Sequence, residues 1–210
     1  MAKTGTIVID PGHGGNLEVG GSSPNNAVSF SGVLEKNITL RMAFLVREQL
    51  ERLANSSGHT LNIILTRETD KNLGLAARAN VAKVKDADLF LCIHCNGFNR
   101  VARGTETLIS PAASGNTNYS ADQAFAQKIQ TAVFNIFLAN DPNAKDRGVK
   151  DQKLAVLRDS NLGTKTRSCL LELEFIDVKK VDELFNIGVN APKVRQEVAK
   201  AIAKALIVSL

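Results

Sequence analysis

The chain has 210 residues, 44% of them apolar and 22% charged, which is enough material for one well-packed domain and too little for two. Aromatic residues make up 5% and tryptophan is absent, so the core must be aliphatic and a stacking platform for sugars or bases is not expected. A formal charge of +5 favours encounter with polyanions, but no clustered Lys/Arg tract accompanies it, and nucleic acid is not expected as a partner.

Residues 6–9 form a short β-branched run that ends in Asp10-Pro11-Gly12, the pattern of a buried strand entering a turn, and this places His13 at a strand end. Residues 14–32 are rich in Gly, Ser and Asn, too long and too polar for a structural turn, and read as a lid or specificity loop. Ile38, Leu40, Ala43, Leu45, Val46, Leu50 and Leu53 then recur at helical spacing, so a helix is predicted from Glu35 to about Leu53. Glu35 lies in its first turn, where the helix dipole favours a carboxylate. The alternation continues with a strand over 61–66, a helix over 73–83 and a strand over 88–94. After a strand over 104–110 come a polar loop through Tyr119, a helix over 121–139 and a polar loop over 141–148. A short element of undetermined type at 154–158, a strand over 168–175 and a C-terminal helix over 192–208 complete the chain.

Strands alternating with helices predict an α/β fold: a single domain with a mostly parallel or mixed twisted sheet of about six strands and helices on both faces. No repeat or linker divides residues 1–210, and no segment is long enough to span a bilayer. The start, MAKTGTIVIDPGHGG, lacks the apolar stretch and cleavage site of a secretory signal. Three cysteines, two of them bracketing a histidine in a predicted strand, do not suggest a disulfide network.

His13, Glu35 and His94 each fall where an open α/β sheet builds its sites, at the carboxyl end of a strand or the start of the next helix. Two imidazoles and one carboxylate are a common three-ligand shell for catalytic zinc, with the fourth position left for water. In SCLLELEFID, period-two alternation puts Glu172 and Glu174 on one strand face and Leu171, Leu173 and Phe175 on the other, so either glutamate is a candidate general base. Spacing alone leaves open that the histidines are satisfied core residues and the glutamates ordinary surface.

The blocks DPGHGG (10–15), LEKN (34–37), LTRETDKNLGLAARANVAK (65–83), ADLFLCIHCNG (87–97), RGTETLIS (103–110), RGVKDQKLAVLRDS (147–160) and CLLELEFID (169–177), in this order, closely resemble the N-acetylmuramoyl-L-alanine amidases of the type-3 zinc amidase family over nearly the whole chain. The resemblance implies hydrolysis of the amide between the lactyl group of N-acetylmuramic acid and L-alanine in bacterial peptidoglycan. It implies that His13, Glu35 and His94 hold one Zn2+ and that Glu172 is the catalytic glutamate. Leu173-Glu174 replaces the family's usual small residue, so Glu174 is a candidate to share the base role. Cys92 and Cys95 stand where the family carries Ser and Ala, and only Cys92 is expected to share the face of His94. Arg67, Asp70, Arg78 and Asn80 are implied to be scaffold residues, and Asn96 is a candidate to touch substrate or orient a ligand.

The expected enzyme is a one-domain catalytic unit over 1–210, monomeric, without a separate wall-binding domain, and open to an activator of unknown identity. It is expected to act on the cell wall, reached as a phage lysin, by non-classical release or after loss of a leader. Two alternatives are another zinc hydrolase of wall peptides and a catalytically silent wall-binding module.

Overall fold

In the computed structural model, which describes residues 1–210, the first apolar run extends into strand β1 (Thr4–Pro11), and helix α1 (Glu35–Ser57) follows the long Gly/Ser/Asn segment. Then come β2 (Thr60–Leu65), α2 (Leu75–Val84), β3 (Leu89–Asn96), β4 (Thr105–Ile109), α3 (Tyr119–Asn140) and β5 (Asp146–Asp151). The chain closes with α4 (Asp159–Leu162), β6 (Arg167–Phe175), α5 (Lys179–Asp182) and α6 (Ala191–Ser209). The six strands form one mixed sheet in the order β2-β1-β3-β6-β4-β5. β2, β1, β3 and β6 are parallel, whereas β4 pairs antiparallel with β6 and parallel with β5. This is the α/β single domain expected from the alternation.

Strand alternation sorts the core into two layers. Ile7 and Ile9 of β1, Leu89, Leu91, Ile93 and Cys95 of β3, and Cys169, Leu171 and Leu173 of β6 join the core of 33 buried residues under α1, α3 and α6. Val8, Phe90, Cys92 and Leu170 face the other way, into a core of 11 residues covered by α2 and α4. Filling both faces explains why the parallel strands read as nearly continuous apolar runs. All three cysteines are free and buried, with Cys92 and Cys95 on opposite faces. No helix is long and apolar enough to cross a membrane.

Three features differ from the expectation. The loop expected over 141–148 holds only through 145, where β5 begins; its sequence DRGVKD has no apolar alternation because this edge strand packs only one apolar side chain, the half-buried Val149, against the core. Residues 154–158 contain a single 3-10 turn, Ala155–Leu157, and α5 with a following π-helical turn, Glu183–Ile187, anchors Val181 and Phe185 where no element was predicted.

The third difference bears on the site. His94 pairs with Glu172, but Asn96 pairs with Phe175, so two steps on β3 match three on β6. The extra residue is a β-bulge, and it reverses the side-chain alternation beyond Glu172. Glu174 therefore does not share a face with Glu172, and Phe175, predicted on the opposite face, moves to Glu172's side.

Candidate metal centre and catalytic site

His13 lies two residues past the end of β1 and adopts a left-handed backbone with φ of 61°, a conformation that costs a side-chain-bearing residue about 1–3 kcal/mol and persists only where its surroundings hold it. Arg78 supplies that hold: its Nη2 donates to the His13 carbonyl at 2.6 Å, while its Nη1 donates to Asp10 Oδ1 and to the Pro11 carbonyl, each at 2.9 Å. The ring Nδ1 lies 3.0 Å from the Ser23 carbonyl. A carbonyl can only accept, so Nδ1 donates and the lone pair stays on Nε2. That Nε2 is buried, has no hydrogen-bond partner, and points at Glu35 Oε2 at 3.3 Å.

Glu35 opens α1 and is fully buried. Its Oε2 accepts from the Ala27 N–H at 2.8 Å, and its Oε1 accepts from the Cys95 N–H at 2.9 Å and lies 3.0 Å from His94 Nδ1. Burial pushes its pKa up, but the imidazoles of His13 and His94 beside it outweigh that and hold the carboxyl below its ordinary range. For His13, burial works against the charged form and the neighbouring Glu35 carboxylate overcomes it, so its pKa is raised. No lysine or arginine bonds to Glu35. The ligand-capable atoms of His13, Glu35 and His94 lie within 4.8 Å of one another, and the two rings stand edge to face at 4.7 Å. Such a cluster can hold a metal ion.

Gly12 is part of this geometry: a Cβ built there would fall 2.3 Å from His94 Nε2. The loop over 14–32 is no detached lid, because it forms one wall of the cluster. Isolated bridges join Val19 to Ser22 and Val28 to Leu34, Asn72 Nδ2 donates to the Leu17 and Ser22 carbonyls, and Ser23 and Ala27 hold His13 and Glu35. Ser23, Ala27 and the Cys95 amide escaped the sequence reading because they act mostly through backbone groups, which every residue has.

Glu172 stands opposite His94 on one side and opposite Glu106 of β4 on the other. Its Oε2 is buried without a partner. Burial, with repulsion from Glu35 and Glu106, raises its pKa well above the usual carboxylate range. A cation among the neighbouring ligands would oppose that repulsion and favour the ionised form.

Glu174 is used differently. It accepts from Arg103 Nε at 2.8 Å and from the amides of Gly104 at 2.6 Å and Phe175 at 2.8 Å, and Arg103 in turn bonds to Asp141 at 3.0 Å. Asn96 is half-buried beside the site, its Nδ2 donating to Glu106 Oε1 at 2.7 Å. Of the expected scaffold residues, Arg67 ties the Pro11, Gly12, Lys36 and Thr69 carbonyls together, and Asp70 holds Lys36 and the Gly15 amide, each at 2.8 Å. Asn80 is exposed and makes no such tie.

A model of the family described as N-acetylmuramoyl-L-alanine amidase matches residues 7–207. The chain is 31% identical, over 94% of its length, to an uncharacterized cell wall amidase of Bacillus anthracis. It is 34% identical, over 81% of its length, to N-acetylmuramoyl-L-alanine amidase LytC of Bacillus subtilis. It spans 34% of the first relative and 29% of the second. Among solved structures, the catalytic domain of the N-acetylmuramoyl-L-alanine amidase CwlV of Bacillus (Paenibacillus) polymyxa var. colistinus superposes with a TM-score of 0.70 at 28% identity, covering 96% of each chain.

Proposed function

The chain belongs to the N-acetylmuramoyl-L-alanine amidase family, and on that footing we propose that it hydrolyses the amide joining the lactyl group of N-acetylmuramic acid to L-alanine in peptidoglycan. His13, Glu35 and His94 would hold one zinc ion, and Glu172 would carry the proton. The observation that supports this reading most strongly is the buried Glu35 carboxylate, flanked by two imidazoles whose ligand-capable atoms lie with its own within 4.8 Å, and bonded by no lysine or arginine. A metal ion there would pair with that buried charge, and two nitrogens plus one oxygen suit zinc.

Zinc bound there would act as a Lewis acid on the substrate carbonyl and lower the pKa of a water to about 7. Glu172 takes a proton from the attacking water as its oxygen adds to the amide carbonyl. As the C–N bond breaks, Glu172 passes that proton to the departing nitrogen. The products are a lactyl carboxylate on the glycan and a free amino group on L-alanine. Asn96, its Nδ2 held by Glu106, would offer its Oδ1 to substrate as an acceptor, and Glu174 serves the fold through Arg103.

The enzyme is proposed to work as a monomer on the cell wall, outside the cytoplasmic membrane. The test is digestion of purified peptidoglycan by zinc-loaded protein, with mass spectrometry of the products and a chelated control. Intact glycan strands and stem peptides with new alanine amines, both lost on chelation, are expected. Cleavage at another bond would replace the substrate assignment, and wall binding without turnover would leave a binding module.

A further inference from the structure

On the β4–β5 side of Glu172 lies a charged cluster that neither the metal centre nor the base uses. Glu106, buried and directly across from Glu172, accepts from Asn96 through Oε1, and through Oε2 from Arg147 Nε at 2.8 Å and from Lys150 Nζ. One carboxylate, Glu106, thus holds two cationic side chains at this rim of the site.

Arg147 is held on three sides. Glu106 fixes its Nε, the Phe175 ring lies 5.2 Å from its guanidinium carbon, and its aliphatic stem occupies the space above Gly104, where a Cβ would come 2.7 Å from Cγ. Phe175 faces this way only because of the bulge in β6. The terminal guanidinium nitrogens have no protein partner, and the side chains of Arg147 and Lys150 are 37% and 42% exposed. A guanidinium anchored at Nε presents its outer edge as a rigid fork, the geometry that binds a carboxylate through two hydrogen bonds at small entropic cost.

Resting on the amidase reading, the chemistry of the bond narrows the ligand. The scissile amide consumes the lactyl carboxyl of the muramic acid, so the ionised carboxylates near that bond belong to the peptide. We propose that Arg147 and Lys150, anchored by Glu106, form a specificity site that binds a carboxylate of the stem peptide beside the scissile amide.

The test uses two synthetic muramoyl-L-alanyl peptides that differ only in the residue after L-alanine, its side carboxylate free in one and converted to the primary amide in the other. The zinc-loaded enzyme is expected to favour the free acid by about tenfold in kcat/KM, mainly through KM. In Arg147→Gln and Lys150→Met, each with zinc content verified, the ratio falls toward one. Lys150→Met keeps the aliphatic stem on an exposed edge strand, so it reports on charge even if Arg147→Gln disturbs packing. A wild-type enzyme indifferent to the carboxylate, or variants that slow both peptides in equal proportion, would overturn the proposal. Cleavage of neither peptide by zinc-loaded enzyme would instead overturn the amidase reading, and this inference with it.

Discussion

His94 on β3 stands directly opposite Glu172 on β6, and the ladder between the two strands slips by one residue immediately beyond them. The pairing brings a metal-ligand candidate and a base candidate to one place. The slip then turns Glu174 away, into its bonds with Arg103 and the Gly104 amide.

The two glutamates should consequently fail in different ways. Glu172→Gln is expected to bind zinc as the wild type does while kcat drops about 10²–10⁴-fold, the usual loss when a general base is removed. Glu174→Gln breaks a buried ion pair, and chemical denaturation should show a loss of about 3–5 kcal/mol with turnover retained at low temperature. Equal inactivity of both variants at equal stability would contradict the assignment.

Zinc should stabilise the fold through the same cluster. At free zinc a hundredfold above its dissociation constant, binding to the native state alone adds about 2.7 kcal/mol. Calorimetry should therefore show the unfolding midpoint rising with zinc and falling with EDTA, and Glu35→Gln should abolish the shift. A shift of the same size in that variant would place the ion elsewhere.

Gly12→Ala tests the packing around His94. The added methyl would sit 2.3 Å from Nε2, so the imidazole must move. Competition with a chromophoric chelator should report zinc affinity weakened by about 10–100-fold, the range for disturbed support around a ligand. Unchanged affinity would mean that the ring is not held where the structure has it.

Asp122 gives the protein a pH dependence remote from the site. It is buried in the first turn of α3, accepts from the Ser168 amide at 2.7 Å and from Asn116 at 2.9 Å, and burial nonetheless raises its pKa to about 6. Because the folded state holds this proton more tightly than the unfolded one, the stabilising effect of the protonated form is full at low pH and declines as pH rises from about 4 to about 6. The total is up to about 3 kcal/mol. Denaturant curves at pH 4.5 and 7 should show wild type losing stability relative to Asp122→Asn, and a difference that does not move with pH would exclude the mechanism.

The layers of the fold were legible because burial leaves a periodic trace. The helical spacing from Ile38 to Leu53 marked α1, and the apolar runs at 88–94 and 168–175 marked β3 and β6, since strands covered on both faces must be apolar almost throughout. β5 left no such trace. Polar edge residues look like loop residues, and their pairing with β4 depends on hydrogen bonds that side chains do not encode.

The site divides along a similar line. Residue type and position at strand and helix ends singled out His13, Glu35 and His94, because few side chains can ligate a metal and an open sheet exposes only those ends. Which of two glutamates stands beside them was beyond period-two reasoning. One inserted residue in β6 inverts the alternation, and a bulge has no signature in composition. The left-handed backbone of His13, the amides of Ala27 and Cys95 on Glu35, and the triple anchoring of Arg147 likewise exist only once distant segments meet, since backbone groups are the same in every residue and become specific only through where the fold carries them.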